Sequence, residues 1–174
     1  MTVLCGRIGC GGRIAGVLTP ILATLGYVTD GRQVLLIHRN KRADDIHLGR
    51  YNGLGGKLEP DEDVASGMRR EIAEESGLTV DRMLLRGTIS WPGFGRNGED
   101  WFGFLFRITH WHGTAHAGNH EGSLEWVPLE RLPELPMWPS DRLFLPMVFD
   151  DDPTPFHGCM PFSNGEMVSW SYSR

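Results

Sequence analysis

The strongest constraint on this chain is one uninterrupted segment, GGKLEPDEDVASGMRREIAEESGL, which runs from Gly55 to Leu78. It combines a glycine-rich turn with three glutamates, Glu71, Glu74 and Glu75, at helical spacings of three and four. Three carboxylates held ~6 Å apart repel one another by roughly 3 kcal/mol per pair at an effective dielectric constant of ~20. Because a hard divalent cation reverses this repulsion, the segment predicts a Mg²⁺ site suited to phosphates.

Local signals within the segment predict a helix between Asp63, a candidate N-cap, and Gly77, a typical helix-ending glycine. The apolar stripe of this helix consists of Val64, Ala65, Met68 and Ile72. At 3.6 residues per turn, Glu71 and Glu75 fall at one edge of the stripe and Glu74 falls beyond it. We therefore expect the glutamates to border a packed interface where a cleft can form.

Composition limits the function classes. The chain has 174 residues, 40% of them hydrophobic, with a net charge of −5 and a pI of about 5.8. This indicates one domain-sized globular unit, and an acidic surface disfavours duplex nucleic acid as a partner. The three cysteines, Cys5, Cys10 and Cys159, lack zinc-ligand spacing and indicate free thiols in the cytoplasm, with a Cys5–Cys10 pair as the alternative.

No apolar run approaches the ~20 residues needed to span a bilayer, so no membrane partner is expected. Residues 1–20 are glycine-rich and lack the continuous apolar core of a signal peptide. We expect them to be a flexible extension, or the product of an upstream start codon, ahead of a domain at 21–174.

The remaining pattern predicts a mixed α/β domain whose helices cover a twisted sheet. Expected strands are 21–28, 33–38, 78–91, 101–111, 124–127, 156–162 and 167–172, with a second helix at 140–149 that is capped by Ser140 or Asp141. Hairpin signals lie at 29–32 and 163–165.

The central segment closely resembles the Nudix box. Five residues separate Gly56 from Glu62, and seven residues separate Glu62 from Arg70, which is followed directly by EIAEESGL, ending at Leu78. The resemblance implies the Nudix fold, an α/β/α sandwich around a mixed sheet. It also implies Mg²⁺-dependent hydrolysis of a nucleoside diphosphate linked to another group, with Mn²⁺ as a possible substitute.

The resemblance further implies the roles of individual residues. The metal ligands would be Glu71, Glu74, Glu75 and the carbonyl of Gly56, with Glu121 as a further carboxylate from a loop. A water bound to the metal would be the nucleophile, deprotonated by Glu74 or Glu121. The alternatives are a solvated acidic helix face and, for Glu121, an ordinary exposed loop position.

Arg70, counted with the catalytic group, would orient the ligands together with Glu62 by holding the loop against the helix. Lys57 could contact a phosphate, although a long side chain beside a turn is often only solvated.

Similarity extends over residues 21 to 172, where GRYNGLGGKL, LEWVPLERL, MWPSDRLFLP and PFHGCMPF resemble MutT-type purine nucleoside triphosphatases that remove oxidised nucleotides. By that resemblance Trp138 would stack on the base, while Asn52 and Asp141 would bind its edge. Ser140 stands where the related proteins have a second aspartate. A hydroxyl cannot share a proton with Asp141 as a paired carboxylate can, which weakens the expected discrimination for oxidised guanine.

These features predict hydrolysis of a nucleoside triphosphate, with an oxidised purine such as 8-oxo-dGTP preferred, to the monophosphate and pyrophosphate. Two alternatives stay open. One is a Nudix hydrolase for another nucleoside diphosphate derivative, such as a dinucleoside polyphosphate, ADP-ribose or a nucleotide sugar. The other is a non-catalytic nucleotide-binding domain. The sequence leaves the oligomeric state undetermined.

Overall fold

The computed structural model describes residues 18–174. Most of the predicted extension, together with Cys5 and Cys10, lies outside the described residues. The helices are α1 (Val64–Ser76) and α2 (Asp141–Phe149), with a 3₁₀ helix at Leu129–Glu134. The strands are β1 (Ile21–Thr29), β2 (Gln33–His38), β3 (Tyr51–Asn52), β4 (Thr79–Trp91), β5 (Trp101–His112), β6 (Ser123–Pro128), β7 (Phe156–Cys159), β8 (Phe162–Ser163), β9 (Glu166–Met167) and β10 (Ser171–Ser173). Within this described part, no helix is both long and apolar enough to cross a membrane.

One mixed sheet carries the fold, with strand order β10-β7-β4-β5-β1-β2-β3 and β6 paired to β2. Strands β1 and β2 pair antiparallel, which confirms the hairpin predicted at 29–32, and β4 and β5 also pair antiparallel. The more extensive pairing of β1 is however with β5. The two strands run parallel, from Ile21 opposite Trp101 to Val28 opposite Ile108. Strand β7 is likewise parallel to β4.

The two helices pack on opposite faces of this sheet. Successive side chains of β2 point to opposite faces, so Leu35 packs in the cluster that contains Met68 and Ile72 of α1, and Leu36 packs in the cluster of α2. This arrangement confirms the α/β/α sandwich with a mixed sheet. It also leaves one edge of α1 beside the loops that leave β2 and β3.

The local signals of α1 are confirmed. The Asp63 carboxylate accepts hydrogen bonds from the backbone N–H groups of Ala65 and Ser66 at 2.8 and 3.0 Å. Gly77 adopts φ 75°, a left-handed conformation in which its N–H bonds to the carbonyl of Ala73. The Glu74 side chain is 60% exposed, whereas Glu71 and Glu75 are half-buried at the edge of the apolar stripe.

Two predicted elements differ from the structure. The C-terminal strands are shorter than predicted, because residues 156–173 divide between the main sheet and a small hairpin, β8–β9. Asn164 and Gly165, both at positive φ, form the turn of that hairpin. The second helix begins at Asp141, and Ser140 makes no side-chain cap. Its hydroxyl donates instead to the Asp141 carboxyl at 3.3 Å.

Candidate active site

Four acidic side chains from different elements meet in one cavity of about 290 Å³. Helix α1 contributes Glu71, Glu74 and Glu75, and the loop before β6 contributes Glu121. The other lining residues are Arg39, Gly55, Gly56, Asn119 and His120. The structure thus brings together all the residues for which the sequence predicts a role in metal binding.

The turn after β3 approaches α1 closely because it contains two glycines. Gly55 has φ 143°, and a Cβ atom there would lie 2.2 Å from the carbonyl oxygen of Thr24. A Cβ atom on Gly56 would lie 2.6 Å from Oε1 of Glu71. The Gly56 carbonyl accepts the Thr24 N–H at 2.8 Å, which leaves one lone pair for a further partner.

Arg70 attaches this turn to the helix. Its guanidinium donates to both carboxylate oxygens of Glu62, at 2.7 and 3.0 Å, and to the carbonyl of Lys57 at 3.1 Å. These hydrogen bonds lower the pKa of Glu62. The same guanidinium reaches Glu71 at 2.9 Å and Glu74 at 3.2 Å. Arg70 therefore positions the turn and two of the glutamates together.

The buried carboxyls of the cavity are electrostatically unfavourable as anions. Burial raises the pKa of Glu75 to about 8, although a hydrogen bond from the Gly55 N–H opposes the shift, and the charge of Glu121 adds to it. Burial also raises the pKa of Glu71, against the opposing effect of Arg70. When these carboxyls are ionised, the cavity carries unbalanced negative charge that a bound cation would neutralise.

Arg39 is a residue of the cavity that the sequence did not reveal. It forms ion pairs with Glu121 and, at 2.6 Å, with Asp45. Its position directly after β2, ahead of a polar loop, does not distinguish it from the other basic residues of that loop. Only the tertiary structure identifies it as a basic side chain that lines the carboxylate cavity.

The donor set fits a hard divalent cation, since it consists of carboxylate oxygens and a backbone carbonyl. Within residues 18–174, no three His, Cys, Asp or Glu side chains are already arranged around a common ion position. The reason is local, because Arg70 holds Glu71 and Glu74 while Arg39 holds Glu121. Binding a metal here would exchange these arginine contacts for metal–oxygen bonds.

A second group of predicted residues lies where β3 meets the segment before α2. The backbone N–H of Tyr51 donates to the carbonyl of Pro136 at 2.9 Å, which attaches the two segments. Oδ1 of Asn52 is buried and has no hydrogen-bond partner among the described residues. Burial raises the pKa of Asp141 to about 7. The half-buried Trp138 lies in the same segment, three residues before Asp141.

Lys57 is the one predicted residue that the structure does not bring to either group. Its side chain is exposed, it does not line the carboxylate cavity, and its Nζ lies 5.4 Å from the ring centre of Trp101.

Comparison with known proteins agrees with this geometry. Residues 19–148 match the NUDIX domain family. Over 130 residues the chain is 34% identical to the oxidized purine nucleoside triphosphate hydrolase of Mus musculus, covering 75% of this chain and 80% of that protein. The corresponding protein of Danio rerio is 32% identical over the same shares. The crystal structure of a MutT protein from Bacillus halodurans superposes with a TM-score of 0.76 at 28% identity, covering 87% of this chain and 97% of that one. The chain belongs to the Nudix family.

Proposed function

We propose that this protein hydrolyses nucleoside triphosphates to the monophosphate and pyrophosphate, with an oxidised purine triphosphate such as 8-oxo-dGTP as the preferred substrate. The names of the mouse and zebrafish relatives support this choice. The observation that carries it is the short distance along the chain between the two groups of site residues. Asn52 and Gly56 are four residues apart, a span of at most ~14 Å, which suits one nucleotide with its base at one end and its phosphates at the other.

Nudix hydrolases generally require a divalent metal. We assign Mg²⁺, replaceable by Mn²⁺, to the carbonyl of Gly56 and the carboxylates of Glu71, Glu74, Glu75 and Glu121. When bound, the metal neutralises charge on the phosphoryl groups and lowers the pKa of water.

The side chains around the metal site have three further roles. One carboxylate, that of Glu74 or Glu121, accepts the proton of the attacking water. Arg39 supplies a positive charge in the same cavity for the phosphate chain. Arg70, through Glu62 and the carbonyl of Lys57, keeps the glycine turn in position against α1.

At the other end, the indole of Trp138 provides a stacking surface for the base. Oδ1 of Asn52 needs a donor, and a base amino or ring N–H group supplies one. The carboxyl of Asp141, with a pKa of about 7, can donate or accept near neutral pH. Ser140 donates to Asp141 and so biases that choice. We assign residues 21–174 to this one domain.

A turnover screen over nucleotides, with Mg²⁺ and with Mn²⁺, tests the proposal. We expect the highest kcat/KM for 8-oxo-dGTP, with dGTP and the pyrimidine triphosphates lower. Equal values for all bases would reject the oxidised-purine assignment. Turnover of ADP-ribose, a nucleotide sugar or a dinucleoside polyphosphate in preference to triphosphates would favour the alternative that Ser140 suggests.

Two variants separate catalysis from folding. Glu74→Gln is expected to lower kcat by about a thousandfold, since it removes a metal ligand or the base without changing side-chain size. Glu134→Gln is the matched control, because Glu134 is 70% exposed and lies on the 3₁₀ helix outside the cavity. Unchanged turnover in Glu74→Gln would contradict the assigned metal site.

A further inference from the structure

The ring of Trp138 is held by two side chains from the loop between β2 and β3. Its Nε1–H donates to Nδ1 of His47 at 2.7 Å, and the two rings meet edge-to-face at 90°. The guanidinium carbon of Arg50 lies 4.0 Å from the centre of the indole ring. Thus the polar edge and one face of the ring are both occupied by protein groups, while the half-buried ring still reaches solvent.

The loop itself is anchored so that these two side chains face inward. In a loop that is mostly exposed, Asp45, His47 and Arg50 are half-buried. The Asp45 carboxylate accepts the backbone N–H of His47 at 2.9 Å and Nε of Arg39 at 2.6 Å. The backbone of Arg50 is held on both sides, by the N–H of Arg39 and by the carbonyl of His47, at 2.9 Å each.

The hydrogen bond requires a neutral imidazole, with its proton on Nε2 and a lone pair on Nδ1. Burial lowers the pKa of His47, as do the charges of Arg39 and Arg50, while Asp45 and Glu121 act in the opposite direction. The neutral form that accepts the indole proton is therefore the form that this environment favours.

From these contacts we propose that His47 and Arg50 are positioning residues that fix the Trp138 indole as the stacking surface for the base. Arg50 covers one face and leaves the other to the nucleotide, and His47 sets the rotation of the ring about its edge. This inference rests on the proposed function for the role of Trp138. It adds two residues that determine how tightly a base is bound and do not touch the phosphates.

The Arg50 side chain links this surface to the edge contacts. It donates to the carbonyl of Met137 at 3.4 Å, and its charge lowers the pKa of Asp141 against the effect of burial. A planar guanidinium can lie flat on an indole whereas an ammonium cannot, so lysine is not an equivalent replacement. Loss of the planar group would free the ring and weaken binding of the base.

The first test observes the hydrogen bond of the Trp138 indole directly and does not depend on enzymatic turnover. The indole N–H signal of Trp138, assigned by its absence in Trp138→Phe, is followed by ¹H–¹⁵N NMR. We expect it to move upfield in His47→Ala, and to keep its place in His47→Asn, whose amide oxygen replaces Nδ1 as acceptor. His110→Ala, at an exposed histidine of β5, is the control and should leave it in place. An unmoved signal in His47→Ala overturns the proposal.

The second test separates base binding from phosphate binding. In His47→Ala and Arg50→Lys we expect the Kd of 8-oxo-dGMP and dGMP, and the KM of the triphosphates, to rise about fivefold, with kcat unchanged. Inhibition by pyrophosphate should stay as in the parent protein, and His47→Asn should restore most of the affinity. Equal nucleotide affinity in parent and variants, including the case in which neither binds any nucleotide, overturns the proposal, as does equal weakening for pyrophosphate.

These outcomes differ from a failure of the proposed function. If 8-oxo-dGTP is not the preferred substrate, the indole signal and the monophosphate affinities still decide whether His47 and Arg50 position the ring.

Discussion

Replacing Glu75 by glutamine should make the metal-free protein more stable at alkaline pH while abolishing activity. Burial raises the pKa of the Glu75 carboxyl from 4.5 to about 8. A raised acid pKa means that the folded state binds the proton more tightly than the unfolded state. The stabilising contribution is therefore complete below pH ~4.5 and is lost as the pH rises to and beyond ~8.

The difference between these pKa values corresponds to roughly 4–5 kcal/mol of unfolding free energy at 1.36 kcal/mol per pKa unit. Relaxation of the site and water penetration reduce this figure, so we expect Glu75→Gln to exceed the parent by about 2–4 kcal/mol at pH 9. The glutamine amide oxygen can still accept the hydrogen bond that the Gly55 N–H now donates to the carboxylate at 2.8 Å. At pH 5 the two proteins should differ little.

Denaturant unfolding at pH 5 and pH 9, with a chelator present, measures the difference. Glu74→Gln is the control, because a side chain that is 60% exposed should change stability by less than about 0.5 kcal/mol. Saturating Mg²⁺ at pH 9 should stabilise the parent and leave Glu75→Gln nearly unchanged. Equal stability of parent and Glu75→Gln at pH 9 would refute the reasoning.

Three further predictions concern single residues. Gly56→Ala should lower kcat/KM at least tenfold while changing the unfolding free energy by less than about 1 kcal/mol, because its Cβ would displace only the carboxylate end of the Glu71 side chain, 2.6 Å away; steady-state kinetics and denaturation check the two parts. Arg86→Met should cost about 2–4 kcal/mol in denaturant unfolding, because Arg86 is 2% exposed and donates to the carbonyls of Met147 and Val148 at the end of α2; a loss below 1 kcal/mol would contradict this. Asp63→Ala should cost about 1 kcal/mol by removing the N-cap of α1, with Asp63→Asn as the control that keeps an acceptor.

The sequence alone was sufficient to predict helix α1, its two ends and the glutamates along its edge. The Asp63 cap and the Gly77 terminus depend on hydrogen bonds within four residues along the chain. The burial order of Glu71, Glu75 and Glu74 follows from the helical period relative to the apolar stripe. Such interactions involve residues close together in the sequence, so they can be predicted from it. The β1–β2 hairpin joins strands that are nearly as close.

Contacts between distant segments could not be predicted in this way. Nothing in β1 or β5 specifies their parallel pairing, since either strand could have bonded to several others. In the sequence, Arg86 cannot be distinguished from any other arginine of a strand. Its role depends on a hydrogen bond to the carbonyl of Val148 in α2, 62 residues later. The hydrogen bond from Trp138 to His47 spans 91 residues.

Features that depend on neighbouring residues could therefore be predicted from the sequence, whereas contacts between residues far apart along the chain could not. The sequence determined the identity of the acidic helix and its turn, because spacing on a helix sets which side chains share a face. Only the tertiary structure decided that Arg39 lines the carboxylate cavity beside Glu121, and that His47 and Arg50 hold the Trp138 ring. Those residues meet through the packing of separate loops on one sheet edge, and no local pattern records that packing.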